Sequence, residues 1–238
     1  ANFNFAYNAQ KVKELFGGNK ILPGDPTIRV GQPFNIAFTQ RYAGVNPATG
    51  RAMWLDTLGN LTYLVQPRDR VVIGPTLLAP YYGGFSNTFS YKGVSLNVLF
   101  NYEYGRYTTD GQINFLREAT GRINFLTDIY QNRWTAPGQL TSVPRQNLAT
   151  EAKSTGSAGG SRTFFKADYI RLRNLELAYN LPTQAISKLK LTNARFYVQG
   201  TNLWTYSDWF SYDIEFVGVS TGIIPQTRNI TVGVQVGF

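Results

Sequence analysis

The sequence has no cysteine and no histidine in its 238 residues, one methionine, and only 16% charged residues. Without cysteine there are no disulfides and no thiolate metal sites. Without histidine, the Ser-His-Asp type of triad, imidazole acid–base pairs and most zinc sites are excluded. No run of 18 apolar residues occurs, so no helix is expected to cross a membrane. Strands would pass unseen by that criterion, since each is short and apolar on one face only. No basic segment followed by an apolar one marks a signal peptide. The chain opens on Ala1-Asn2-Phe3-Asn4-Phe5, already alternating, as though cut from something longer. The balance of charge is +9, but the 23 basic residues are scattered and form no stripe interleaved with aromatics, which argues against nucleic acid.

What is abundant is aromatic residues, at 15%, and glycine, with 23. Disordered chains are charged and poor in aromatics, so an ordered chain is expected, either one large all-β domain or two small ones. Residues 228–238 (RNITVGVQVGF) carry the clearest pattern: Ile230, Val232, Val234, Val236 and Phe238 share one face, and Thr231, Gly233, Gln235 and Gly237 the other. A soluble sheet would bury such a strand or blunt its edge with charge or proline.

The same period recurs upstream. Phe3, Phe5 and Tyr7 alternate with Asn2, Asn4 and Ala6, and Phe85, Phe89 and Tyr91 with Ser86, Thr88 and Ser90. After Lys92-Gly93, the residues Val94, Leu96, Val98, Phe100, Tyr102 and Tyr104 alternate with Ser95, Asn97, Asn101 and Glu103. Two such runs around a two-residue turn with glycine predict a hairpin. Ile170 and Leu172 are followed by Leu175, Leu177 and Tyr179 in the opposite parity, which predicts a bulge at Arg173-Asn174. Phe196 and Val198 oppose Arg195, Tyr197, Gln199 and Thr201 in the next strand. Residues 9–82 are broken every few positions by Gly and Pro but keep short alternating pieces, which predicts an ordered excursion with a small sheet of its own. A helix is expected around 124–134, and the run 154–161 (STGSAGGS) is low-complexity linker text.

These patterns predict an all-β chain: an antiparallel transmembrane β-barrel segment with strands near 2–8, 84–91, 94–104, 168–181, 195–204 and 229–238. The connections between them alternate long and short, as outer loops and periplasmic turns do in membrane barrels, which makes 9–82, 105–165 and 205–227 the extracellular loops. Tyr102, Tyr104, Trp204 and Tyr206 then fall at the outer strand ends, and Tyr91, Tyr179 and Phe238 at the periplasmic ends, as two interfacial girdles. The alternative is a soluble β-sandwich carbohydrate-binding module, with the apolar faces turned inward and Trp204 and Trp209 as its platform.

Several ordered motifs resemble one family. Residues 167–182 (ADYIRLRNLELAYNLP) and 194–204 (ARFYVQGTNLW) are similar to consecutive strands of SusC/RagA-type TonB-dependent outer-membrane transporters. Residues 30–33 (VGQP), 42–50 (YAGVNPATG), 69–74 (DRVVIG), 83–93 (GGFSNTFSYKG), 133–135 (RWT) and 144–145 (PR) match further signatures in the same order. The resemblance implies the C-terminal part of a roughly 22-stranded barrel whose lumen is closed by an N-terminal plug. It further implies energised import of glycans or peptides, with a SusD-like surface lipoprotein as lid. Plug and TonB-contacting segment are not recognised here, so the remaining barrel, the plug, the TonB complex acting through it and outer-membrane lipid are the expected partners. Val232, Val234, Val236 and Phe238 would serve as the C-terminal assembly signal.

No nucleophile–base pair, phosphate loop or metal-ligand cluster stands out, so no enzyme activity, metal or cofactor is expected. Trp204, Tyr206, Asp208, Trp209, Tyr212 and Asp213 are the candidates for substrate contact, aromatic faces for sugar rings or side chains and carboxylates as hydrogen-bond partners. Girdle or loop packing is the competing role for them. Arg171, Arg173, Arg195 and Gln199 are expected to face the lumen, lining the path or satisfying one another. Asp25, Asp56 and Asp69 have no calcium-loop spacing and are assigned to turns.

Overall fold

The structure is a computed structural model that describes residues 1–109, 124, 126–146, 160–209, 213–216 and 224–238. The first strand, β1 (Asn2–Tyr7), leads into an excursion holding β2 (Ile21–Leu22), β3 (Asp25–Arg29), β4 (Ile36–Val45), β5 (Ala52–Leu55), β6 (Leu61–Thr62) and β7 (Arg70–Thr76). The hairpin β8 (Tyr81–Tyr91) and β9 (Val94–Tyr104) follows, then β10 (Tyr107–Thr109), β11 (Phe164–Lys166), β12 (Tyr169–Asn180), β13 (Asn193–Ser207) and β14 (Asn229–Gly237). Six strands form one antiparallel sheet in the order β1-β8-β9-β12-β13-β14. The excursion contributes a separate four-stranded sheet, β6-β5-β4-β7, in which Ile36, Ala37, Ala52 and Trp54 are buried.

Every strand of the main sheet pairs antiparallel with its neighbour, in unbroken register everywhere but at one point of β12. The register breaks at Leu172/Asn174: against β9, β12 carries Arg173 as an extra residue, and against β13 the extra residue lies on β13, between Thr201 and Trp204. The parity change read from the sequence is therefore a bulge, with Asn202 opposite it in the left-handed region (φ 53). At the hairpin, Lys92 and Gly93 both have positive φ (46 and 86), the backbone a tight two-residue turn requires. Gly93 is also packed: a Cβ there would lie 2.7 Å from the Asn180 carbonyl oxygen. The strand β8 begins at Tyr81, earlier than its alternation indicates, because Gly83 hides the pattern. A side chain at Gly83 would meet the Asn4 carbonyl oxygen at 2.2 Å and the Tyr102 hydroxyl at 2.6 Å.

One face of the sheet is apolar and uncovered among the described residues. Val232 is 74% exposed, Val234 59%, Leu177 53% and Val198 47%. The sandwich alternative requires a second layer over these side chains, and they are bare; its supposed platform also fails, since Trp204 is half exposed and Trp209 buried. Aromatic rings gather at the two ends of this face. Tyr7 stacks on Tyr81 (5.0 Å between centroids), Phe3 on Tyr102 (6.5 Å) and Trp204 on Tyr206 (6.4 Å) at one end. Exposed Tyr91, Tyr179 and Phe238 mark the other.

The expected helix is shorter than its pattern, Thr127–Asn132, with no side-chain cap. The chain leaves the helix at Arg133, and the Trp134 indole N–H donates to the Pro47 carbonyl (2.8 Å), tying this segment to the excursion. Residues 154–159 of the low-complexity run lie outside the described residues. Asp56 accepts from the Asn60 backbone and side chain, Asp25 from Thr27 and Asp69 from Thr57. Asp25 and Asp56 thus close local turns, and their hydrogen bonds hold both below the usual carboxylate range, whereas Asp69 is bonded by Thr57 twelve residues away and ties two segments together.

The faces can be tested by one pair of substitutions in the assembled barrel. Val232→Arg puts a charge on the apolar face and is expected to cost about 2–4 kcal/mol, whereas Thr231→Arg, one residue away on the polar face, is expected to cost well under that. The measurement is unfolding free energy in lipid vesicles, and equal losses would refute the assignment.

Candidate functional site

Alternation sends the remaining side chains of β8, β9, β12, β13 and β14 to the opposite face, where apolar residues are few and hydrogen bonds run from strand to strand. Across the middle of the sheet Thr88 donates to Asn97 (2.6 Å), Asn97 to Glu176 (2.9 Å) and Arg195 to the same carboxylate (2.5 Å). Gln199 donates to Asn174 (2.7 Å) alongside. Each polar side chain here has its partner on the next strand.

Nearer the aromatic-rich end the sheet carries charge. Arg171 is only 5% exposed. Its guanidinium lies 3.2 Å from Asp213 and 3.3 Å from Glu215, and its Nε donates to the Thr205 hydroxyl oxygen (2.9 Å). Arg173, pushed out by the bulge, pairs with Glu215 and donates to Asn202 (3.1 Å) and Gln226 (2.8 Å). Behind them Arg106 is almost fully buried beside Glu103, its guanidinium donating to the carbonyl oxygens of Ile214 and Phe216. Three guanidinium groups thus meet three carboxylates, and the cluster carries no net charge. Asp213, Ile214, Glu215 and Phe216 come from the segment after β13, so the pairing folds that segment back over the polar face. A small apolar core of Ala167, Tyr169, Trp209 and Ile214, with Phe165 against it, seals the fold-back.

The candidate substrate residues are divided by this arrangement. Trp204 and Tyr206 share the apolar face, because β13 runs on through Ser207 and equal parity means equal face. Asp208 lies with Tyr206 at a second cavity on that side, of about 310 Å³, which Tyr102 and Tyr104 also line. The chain turns at Asp208, and Trp209 folds inward, its ring 5.5 Å from Phe165 at 65°. Asp213 sits on the polar face, bound to Arg171, and Tyr212 lies outside the described residues. The six expected contacts are therefore not one site. Arg171, Arg173, Arg195 and Gln199 occupy the polar face and are engaged with one another's carboxylate and amide neighbours.

Sequence reading missed Arg106, Glu215, Gln226 and Arg228. A usable signal for Glu215 was the pair of acids in 213–216, with no base beside them, in the connection following a strand hairpin whose polar face holds three arginines. None pointed to Arg106. A cavity of about 300 Å³ opens on the polar face beside this cluster, lined by Arg171, Thr205, Trp209, Asp213 and Arg228 among others. No group of three or more metal-ligating side chains exists among the described residues.

A sheet with one bare apolar face, aromatic ends and a charge-paired polar face is a segment of a membrane β-barrel wall. No family model matches the chain. It is 28% identical to TonB-dependent receptor P3 of Formosa agariphila, over 99% of its own length and 26% of that protein's, and 28% identical to TonB-dependent receptor P26 of the same organism, over 74% and 18%. Its fold is similar to a chain of the RagAB peptide transporter, with a TM-score of 0.84 and 26% identity, covering 99% of this chain and 27% of that one. The RagAB peptide importer in its "open-open" state gives 0.82 and 25%, over 99% and 26%. The chain spans about a quarter of the length of these proteins. In sequence and in fold it resembles SusC/RagA-type TonB-dependent transporters along its whole extent, and it is a segment of an outer-membrane barrel.

Breaking the cluster tests its role. Arg171→Met leaves Asp213 buried without its cation, with Glu215 still paired to Arg173, and is expected to destabilise by about 3–5 kcal/mol. Combined with Asp213→Asn, the total should fall short of the sum of the single losses by about 1 kcal/mol or more, read as thermal unfolding of the detergent-solubilised receptor.

Proposed function

We propose that this chain is the C-terminal barrel segment of a SusC-like TonB-dependent transporter that imports glycans or peptides across the outer membrane. In this reading 1–238 supplies wall strands, residues 9–82, 105–165 and 205–227 are extracellular, and a SusD-like lipoprotein covers them as a lid. The rest of the barrel and the plug, through which TonB acts, lie in other parts of the receptor, and Val232, Val234, Val236 and Phe238 guide assembly of the last strand. The segment does no covalent chemistry and uses no cofactor: its residues hold the wall, face lipid and line the solute path. The observation that carries the reading is the two-faced sheet itself, apolar and bare outside, polar and ion-paired inside, which fits a water-filled or plugged lumen and little else. The likeness to the RagAB peptide transporter over 99% of the chain supports it.

The test is fractionation and uptake with the complete receptor in cells. The expected result is recovery in the outer-membrane fraction, and uptake of labelled peptides or oligosaccharides that a protonophore abolishes. Recovery in the soluble fraction, or uptake indifferent to energy, would overturn the proposal.

A further inference from the structure

The cavity beside the arginine cluster has a feature the wall does not require. Arg171 and Asp213 both line it, but they neutralise each other at 3.2 Å, and Asp213 also accepts the backbone N–H groups of Glu215 (2.9 Å) and Gln226 (3.4 Å). Arg228 lines the same cavity, is exposed, and has no hydrogen-bond or ion-pair partner among the described residues. The Thr205 hydroxyl oxygen accepts from Arg171, which leaves its own proton to donate, and no described residue takes it. The cavity therefore presents two idle donors, one of them a full positive charge, in a neighbourhood whose other charges cancel. A guanidinium offers a planar fork matched to a carboxylate, and a hydroxyl beside it completes a third hydrogen bond. Trp209, buried under the cavity, supplies an apolar floor for the carbon atoms that carry the acid.

We propose that this cavity binds a carboxylate of the transported solute, with Arg228 as its counter-ion and Thr205 as second donor. The proposal rests on the transporter reading and adds to it a solute class, the carboxylate-bearing one. A peptide C-terminus and a uronate sugar offer the same group.

The experiment measures binding to the complete receptor in detergent with two matched pairs of probes. One pair is trialanine with a free C-terminal carboxylate against its C-terminal amide; the other is a galacturonate trimer against the neutral galactose trimer. The acid of at least one pair is expected to bind about tenfold or more tightly than its neutral partner, and the pair that shows the preference identifies the source of the carboxylate. Arg228→Gln should remove that preference by weakening only the acid, and Arg228→Lys should retain part of it. Because Arg228 is exposed, both variants are expected to fold, which recovery in the outer membrane checks. Equal binding of acid and neutral probes in both pairs, no binding of any probe, or a preference that survives Arg228→Gln overturns the proposal. Energised uptake that persists in those cases separates the failure of this site from the failure of the transporter reading.

Discussion

At the depth of the acyl chains no water is at hand for a peptide N–H or C=O, and each one left unpaired there costs several kcal/mol. Strand-to-strand pairing is therefore the constraint on which this structure depends. From β1 to β14 each strand is paired with the next, and the one register break in the ladder, at Arg173, falls where polar side chains crowd the inner surface and Arg173 donates to Asn202. Once the backbone is satisfied sideways, the outward side chains have nothing to do but match hydrocarbon. Val198, Val232 and Val234 can then stand exposed without a covering layer, and aromatic rings can collect where the lipid gives way to water.

The inner face answers a different requirement. Charged groups beneath the segment folded over this face, Arg171 and Arg106 among them, are shielded from bulk water and must find a partner on the protein. The row from Thr88 through Asn97 and Glu176 to Arg195 is paired as well, with one side chain per strand. Toward the aromatic-rich end the pairing is by charge. Arg171 is too buried to stand alone, and the acids that neutralise it come from 213–215, so the ion pairs that satisfy the wall also fix the loop. Arginine suits this position better than lysine because its five donors reach Thr205, Gln226, Asp213 and Glu215 together. With those pairs formed, the loop is a lining of the polar face and Arg228 is the charge left over.

Much of the wall was legible in the residues. A period of two needs only neighbours along the chain, so the faces of β9 and β14, the turn at Lys92-Gly93 and the bulge before Asn174 could be read directly. Strand β8 was read short because Gly83 and Gly84 have no side chains to show parity, and the close approach of Asn4 and Tyr102 that excludes a side chain at Gly83 is a contact across strands. The candidate site was legible only in pieces. Arg171 and Arg173 stood on the polar face by alternation, but nothing local chose Asp213 and Glu215 as their partners, forty residues further on.

The sequence by itself determined where the chain crosses the sheet and which side of each strand is oily, since both follow from the geometry of an extended backbone. Only the tertiary structure decided how residues 204–216 divide, Trp204 and Tyr206 outward on a strand that runs on, Trp209 and Asp213 inward once the chain turns. That division depends on buried arginines finding carboxylates and on an apolar cluster closing over them. Both are contacts between distant parts of the chain, and no local pattern encodes them.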